Sequence, residues 1–151
     1  VRPGDRADRR AGRGASLGVA IATWLVALGC QTAGSAPETA PFPLGGSTWR
    51  VNEVDGRPVL IPGAPTLSFE GAQRVSGSSG CNRYTGVLTA AGSELRVGDV
   101  AMTRMACPPA VMEVESRFVT ALEAVRSYRL AGDTLELADR SGRRRLRLGR
   151  D

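Results

Sequence analysis

Ser76-Gly77-Ser78-Ser79-Gly80-Cys81-Asn82-Arg83-Tyr84-Thr85-Gly86 and, further on, Met102-Thr103-Arg104-Met105-Ala106-Cys107 decide how this chain is read. They hold two of its three cysteines, and a glycine-rich, turn-forming stretch leads into the first. Around them the pattern is one of short strands. Thr48-Trp49-Arg50-Val51-Asn52-Glu53-Val54 alternates apolar and polar residues, as a half-buried strand does, and residues 66–70, 84–88 and 94–100 repeat the pattern. Asp55-Gly56 and Ala91-Gly92 supply turns. After Cys107 the period changes. Val111, Val114, Phe118, Leu122 and Val125 form an apolar stripe on a helix of roughly 109–127. Pro108 and Pro109 suit its first turn, and Glu113 and Glu115 sit near the positive end of its dipole. Short strands at 128–130, 135–137 and 145–148 follow, turned at Gly132-Asp133 and Ser141-Gly142. The expected fold is mainly β with one α-helix: a small antiparallel β-barrel or curled sheet covered by that helix.

Composition removes much chemistry. The chain has no histidine, which excludes Ser-His-Asp and Cys-His catalysis and histidine-containing zinc sites. Glu113 and Glu115 lie two apart on different helix faces and make a poor acid/base pair. No catalytic set, metal site or cofactor is expected. All twenty basic residues are arginine, and five of them fall within residues 1–29, so the net charge of +5 is not a basic footprint on the folded part. Nucleic acid is not an expected partner. Arg143-Arg144-Arg145 reads as a solvated edge strand that resists edge-to-edge pairing.

The N-terminus reads as an address. Arginines at 2, 6, 9, 10 and 13 precede the uncharged run Leu17–Leu28, too short to span a bilayer core as a helix. The run ends in Val26-Ala27-Leu28-Gly29-Cys30, which resembles a bacterial lipobox with Cys30 as the lipidated residue. Residues 1–29 are therefore expected to be a lipoprotein signal peptide. Residues 30–45, rich in small, polar and proline residues, are expected to be a flexible tether, and 46–150 the folded domain. Gln31 after the cysteine makes outer-membrane attachment facing the periplasm the expectation in a diderm cell, and the extracytoplasmic face of the cell membrane otherwise.

Trp49, the Phe69 strand, Gly80-Cys81-Asn82-Arg83-Tyr84-Thr85-Gly86, Ala101-Met102-Thr103-Arg104-Met105-Ala106-Cys107, Glu113 before a helix carrying Phe118 and Leu122, and Leu135-Glu136-Leu137 occur in one order. That order resembles the META domain, the HslJ-like heat-shock lipoprotein family, over residues 46–148. The resemblance implies a small antiparallel barrel with a helix, no established enzymatic activity, and an association with heat-shock expression and antibiotic tolerance. It also implies a likeness to pilot lipoproteins of secretion systems, which bind lipid or a peptide segment of a partner.

For Cys81 and Cys107 the readings are a disulfide, a reactive thiol beside Arg83 or Arg104, and buried reduced thiols. Export to an oxidising compartment favours the disulfide. Asn82, Arg83, Thr103 and Arg104 are candidates for a binding loop, against the simpler reading that they satisfy a tight turn. Trp49, Phe69 and Phe118 are expected in the core, or lining a lipid-sized cavity if the barrel is open. The expected function is that of a non-catalytic envelope lipoprotein that binds or chaperones an envelope component in stress or antibiotic tolerance. A pilot or assembly lipoprotein is the alternative, as is a lipid-anchored enzyme inhibitor presenting residues 76–86. The expected partners are the membrane, through the lipid on Cys30, and an envelope protein or lipid; a monomer is expected.

Overall fold

The computed structural model describes residues 41–151. The signal-peptide and lipid-anchor expectations, Cys30 included, lie outside the described residues. Period-two stretches build β1 (Thr48–Val54), the two-residue β2 (Arg57–Pro58), β3 (Thr66–Glu70), β4 (Arg74–Ser78), β5 (Arg83–Ala91) and β6 (Glu94–Met102). Helix α1 (Pro109–Ala124) comes next, and then β7 (Val125–Ala131), β8 (Thr134–Asp139) and β9 (Arg144–Arg150). Every pairing is antiparallel in the order β1-β3-β4-β5-β6-β7-β8-β9, with β2 hanging from β1. β9 returns to β1, with Val51 opposite Leu148 and Val54 opposite Leu146. Eight strands thus close into a barrel, as expected.

The inward residues fill it. Trp49, Phe69, Leu95, Leu135 and Leu148 are buried in one cluster, and α1 adds Phe118, Ala121 and Leu122. Burying each large apolar side chain contributes about 1.5–3 kcal/mol. Phe118 meets Tyr84 edge to face, ring centroids 5.5 Å apart. The Tyr84 hydroxyl donates to the Thr66 carbonyl at 2.8 Å. Burial pushes its phenol far above the ordinary value, so it remains a protonated donor. Trp49, Phe69 and Phe118 are core residues, no more than 1 % exposed.

The Thr66 carbonyl also explains a glycine. A Cβ on Gly77 would lie 2.2 Å from the Thr66 oxygen, backbone against backbone. Gly77→Ala must therefore push β4 from β3 and strain the Tyr84 bond. Overpacking of this kind costs about 1–3 kcal/mol, and a thermal melt of the variant is expected to show that loss.

Three expectations are corrected. The helix stops at Ala124, because Val125 turns to extended backbone (φ −59°, ψ 137°) and opens β7 opposite Asp139. Val125 is buried in the strand as it would be on the helix stripe, so apolar periodicity does not mark the change. Arg143-Arg144-Arg145 is not an edge, because β9 has β8 on one side and β1 on the other. Arg144 pairs with Glu53 at 2.9 Å and with Glu136 at 3.2 Å, and Arg145 with Asp55 at 2.5 Å. The packed unit also begins before residue 46. Leu44 is fully buried, and the Phe42 ring meets Phe69 at 5.7 Å. Pro41 and Pro43 give this stretch the composition of a tether.

Candidate functional site

The two cysteine motifs meet at one end of the barrel. Gly80 takes a positive φ of 106°, a conformation open to glycine, and turns the chain between β4 and β5. A disulfide joins Cys81 to Cys107, with Cα atoms 6.0 Å apart. It fastens this turn to the segment that enters α1.

Beneath the disulfide lies a buried polar cluster. Glu115, on the inward face of α1, is 6 % exposed, Asn82 3 % and Ser79 not at all. The Asn82 backbone N–H donates to Glu115 Oε2 and its Nδ2 to Oε1, both at 2.9 Å. The Ser79 hydroxyl contacts the same carboxylate. On its other side Asn82 Oδ1 accepts from the Thr103 hydroxyl at 2.9 Å and the Met105 N–H at 2.7 Å. Thr103 Oγ1 in turn accepts from the Arg83 N–H at 3.1 Å. Burial pushes the Glu115 carboxyl up. The hydrogen bonds from Ser79 and Asn82 outweigh that effect and hold it below the ordinary carboxylate range. The cluster thus ties three chain segments to one ionised carboxylate.

Alongside it runs a groove of about 810 Å³. Residues 100–106 form one wall, and Met112, Glu115 and Asn82 close it. Met105 and Met112 are 60 % and 38 % exposed at its rim, and Met102 packs down onto the core. Methionine is flexible and polarisable, suited to apolar partners of variable shape.

The family model of the META domain matches residues 42–151. The chain belongs to the META domain family. This META domain is similar to a protein solved by NMR at 29% identity, with a TM-score of 0.57 over 70% of this chain and 90% of that one. A protein from Burkholderia xenovorans, also solved by NMR, is 25% identical with a TM-score of 0.56, over 78% and 96% of the two chains. A crystal structure of a DUF4847 family protein from Bacteroides vulgatus shares the fold at 15% identity and a TM-score of 0.55, over 71% and 94%. No curated protein matches the chain.

Within this META domain the anticipated binding residues divide. Asn82 and Thr103 are joined in the cluster, where the polar atoms of Asn82 are engaged within the protein. Arg104 lines the groove, while Arg83 lines a neighbouring depression with Glu70 and Ser76. Residues 76–86 do not project as a loop, because Ser76–Ser78 belong to β4 and Arg83–Gly86 to β5. Sequence reasoning missed the role of Glu115 and the Met105–Met112 rim. Glu113, the acid that carries the family resemblance, lies exposed, 4.0 Å from Arg117. The missed signal is the phase of Glu115, four residues after Val111 and three before Phe118, on the apolar stripe itself.

Proposed function

We propose that this META domain belongs to a non-catalytic envelope lipoprotein that binds or chaperones an envelope component during stress or antibiotic challenge. In this reading the lipid on Cys30 holds it at the membrane. The observation that carries the reading is the groove. Exposed methionines flank a wall held in place by a disulfide and a saturated polar cluster, which suits a preformed apolar binding surface. The buried acid beside it supports binding over catalysis, because its oxygens are engaged by Ser79 and Asn82.

A complementation experiment tests this. In a strain lacking the gene, the wild-type chain is expected to restore survival under envelope stress, and Met105→Asp/Met112→Asp at the same protein level is not. Cys30→Ser is expected to move the protein from the membrane to the soluble fraction. Full rescue by the double variant would overturn the groove, and membrane retention of Cys30→Ser would overturn the anchor.

A further inference from the structure

The barrel's seam is uneven. β6 is paired with β5 along its length but meets β7 through one bridge, Glu94 opposite Ser127. The Tyr128 N–H to the Ser93 carbonyl, at 3.0 Å, adds one bond at the same end. A bulge explains the parting. Two residues of β6, Asp99 and Val100, face one of β5, and Asp99 is left-handed with φ 49°. Such a bulge bends its strand and re-aims the residues beyond it. Past it, α1 rather than a strand lies beside β6, and a helix keeps its own backbone groups bonded internally.

The far half of β6 therefore presents a free edge to the groove. Thr103 donates its N–H to the Arg83 carbonyl at 3.0 Å, toward β5. Antiparallel alternation turns the N–H and C=O of Met102 the opposite way. Just past the end of β6 the Met105 N–H again points to the β5 side, at Asn82 Oδ1, so the extended alternation continues through Arg104. Among the described residues no strand takes up these groups of Met102 and Arg104. The edge from Val100 to Arg104 is about 13 Å long at the usual rise, and the groove runs along it. Charge at the groove has one free sign. The Glu115 carboxylate is bonded inward, while the Arg104 guanidinium is without a carboxylate within 4.0 Å among the described residues.

We infer that this edge accepts a short extended peptide as an added strand beside residues 100–104. Its backbone bonds to Met102 and Arg104, an apolar side chain sits between Met105 and Met112, and a carboxylate faces Arg104. This inference rests on the groove-binding reading above and specifies its partner. Backbone pairing supplies affinity, and the methionine pocket with Arg104 supplies preference for apolar residues followed by an acidic one or a free C-terminus.

The probes are synthetic heptapeptides of alternating apolar and threonine residues ending in two aspartates. The same peptides N-methylated on alternate residues, and others ending in two lysines, serve as controls. Titrated into the 15N-labelled full chain, the acidic peptides are expected to shift and protect the Met102 and Arg104 amides. N-methylation in the edge-facing register and lysine replacement are each expected to weaken binding at least tenfold, and Arg104→Glu to reverse the charge preference. Affinity indifferent to N-methylation, or shifts confined to other strands, would overturn strand addition. Concentration-dependent dimerisation that perturbs the same amides without peptide would make a second copy the occupant and overturn it too. If a lysophospholipid shifts the groove amides and no peptide does, strand addition fails while the binding groove stands; if neither does, both fail.

Discussion

Glu115→Ala is expected to lower the unfolding free energy by about 3–5 kcal/mol at neutral pH. A buried donor that loses its acceptor costs about 1–3 kcal/mol, and this carboxylate serves the Asn82 N–H, the Asn82 Nδ2 and the Ser79 hydroxyl. Glu115→Gln keeps the shape but turns an amide toward those donors, and is expected to cost about 2 kcal/mol on the same reasoning. The pH dependence separates charge from packing. Glu115 titrates lower in the folded chain than its ordinary value near 4.5, so the unfolded chain binds its proton more readily. Its contribution is complete above that ordinary value and drains away as pH falls through the folded one. Glu136, held down chiefly by its hydrogen bond from Arg129, and Asp139, chiefly by that from Ser141, act with the same sign. Urea midpoints of wild type and Glu115→Gln should therefore converge in acid. A gap that stays constant from pH 7 to pH 3 would show that the charge of Glu115 contributes nothing.

The second large effect belongs to the disulfide. Cys81 and Cys107 are 26 residues apart in sequence, and releasing a loop of that length costs about 3.5 kcal/mol on the chain-entropy model. Domains of this size have about 5–15 kcal/mol in total, so Cys81→Ser/Cys107→Ser is expected to leave a marginal fold. Reductant added to the wild type should reproduce the shift in urea midpoint, and should do nothing to the double variant. The cystine and Glu115 act on one turn, because Cys81 adjoins Asn82, whose N–H donates to the carboxylate. Combining both changes is expected to cost less than their sum.

Much of this architecture was legible in the residues because period-two alternation and the stripe from Val111 to Leu122 each favour one side of an element. Trp49, Phe69 and Phe118 read as core and are core. For Cys81 and Cys107 the expected export to an oxidising compartment favoured a disulfide over free thiols, and the structure joins them. The site was less legible, for physical reasons. Glu115 lies on an apolar face, where pattern reading expects no charge, and its burial depends on donors from a loop 33 residues away. The β6 edge was hidden because alternation tells which way side chains point and nothing about which neighbour the backbone finds. The arginines of β9 misled for a related reason. A charged strand resembles an edge until the acids of β1 and β8 are brought beside it.

The pairing of β9 with β1 also bears on how the molecule comes into being. The Asp151 N–H reaches the Thr48 carbonyl, and the Arg150 guanidinium stacks 4.7 Å from the Trp49 ring. In chain order β1 comes first among the barrel strands and its closing partner β9 comes after all the others. The ring cannot shut before β9 is available, and contacts between such distant residues are slow to form. Until β9 is in place, β1 has one side unpaired. The same adjacency brings the start of β1 and the end of β9 to one place, so a linker there, with new ends opened at Gly132, should yield a circular permutant with the same barrel.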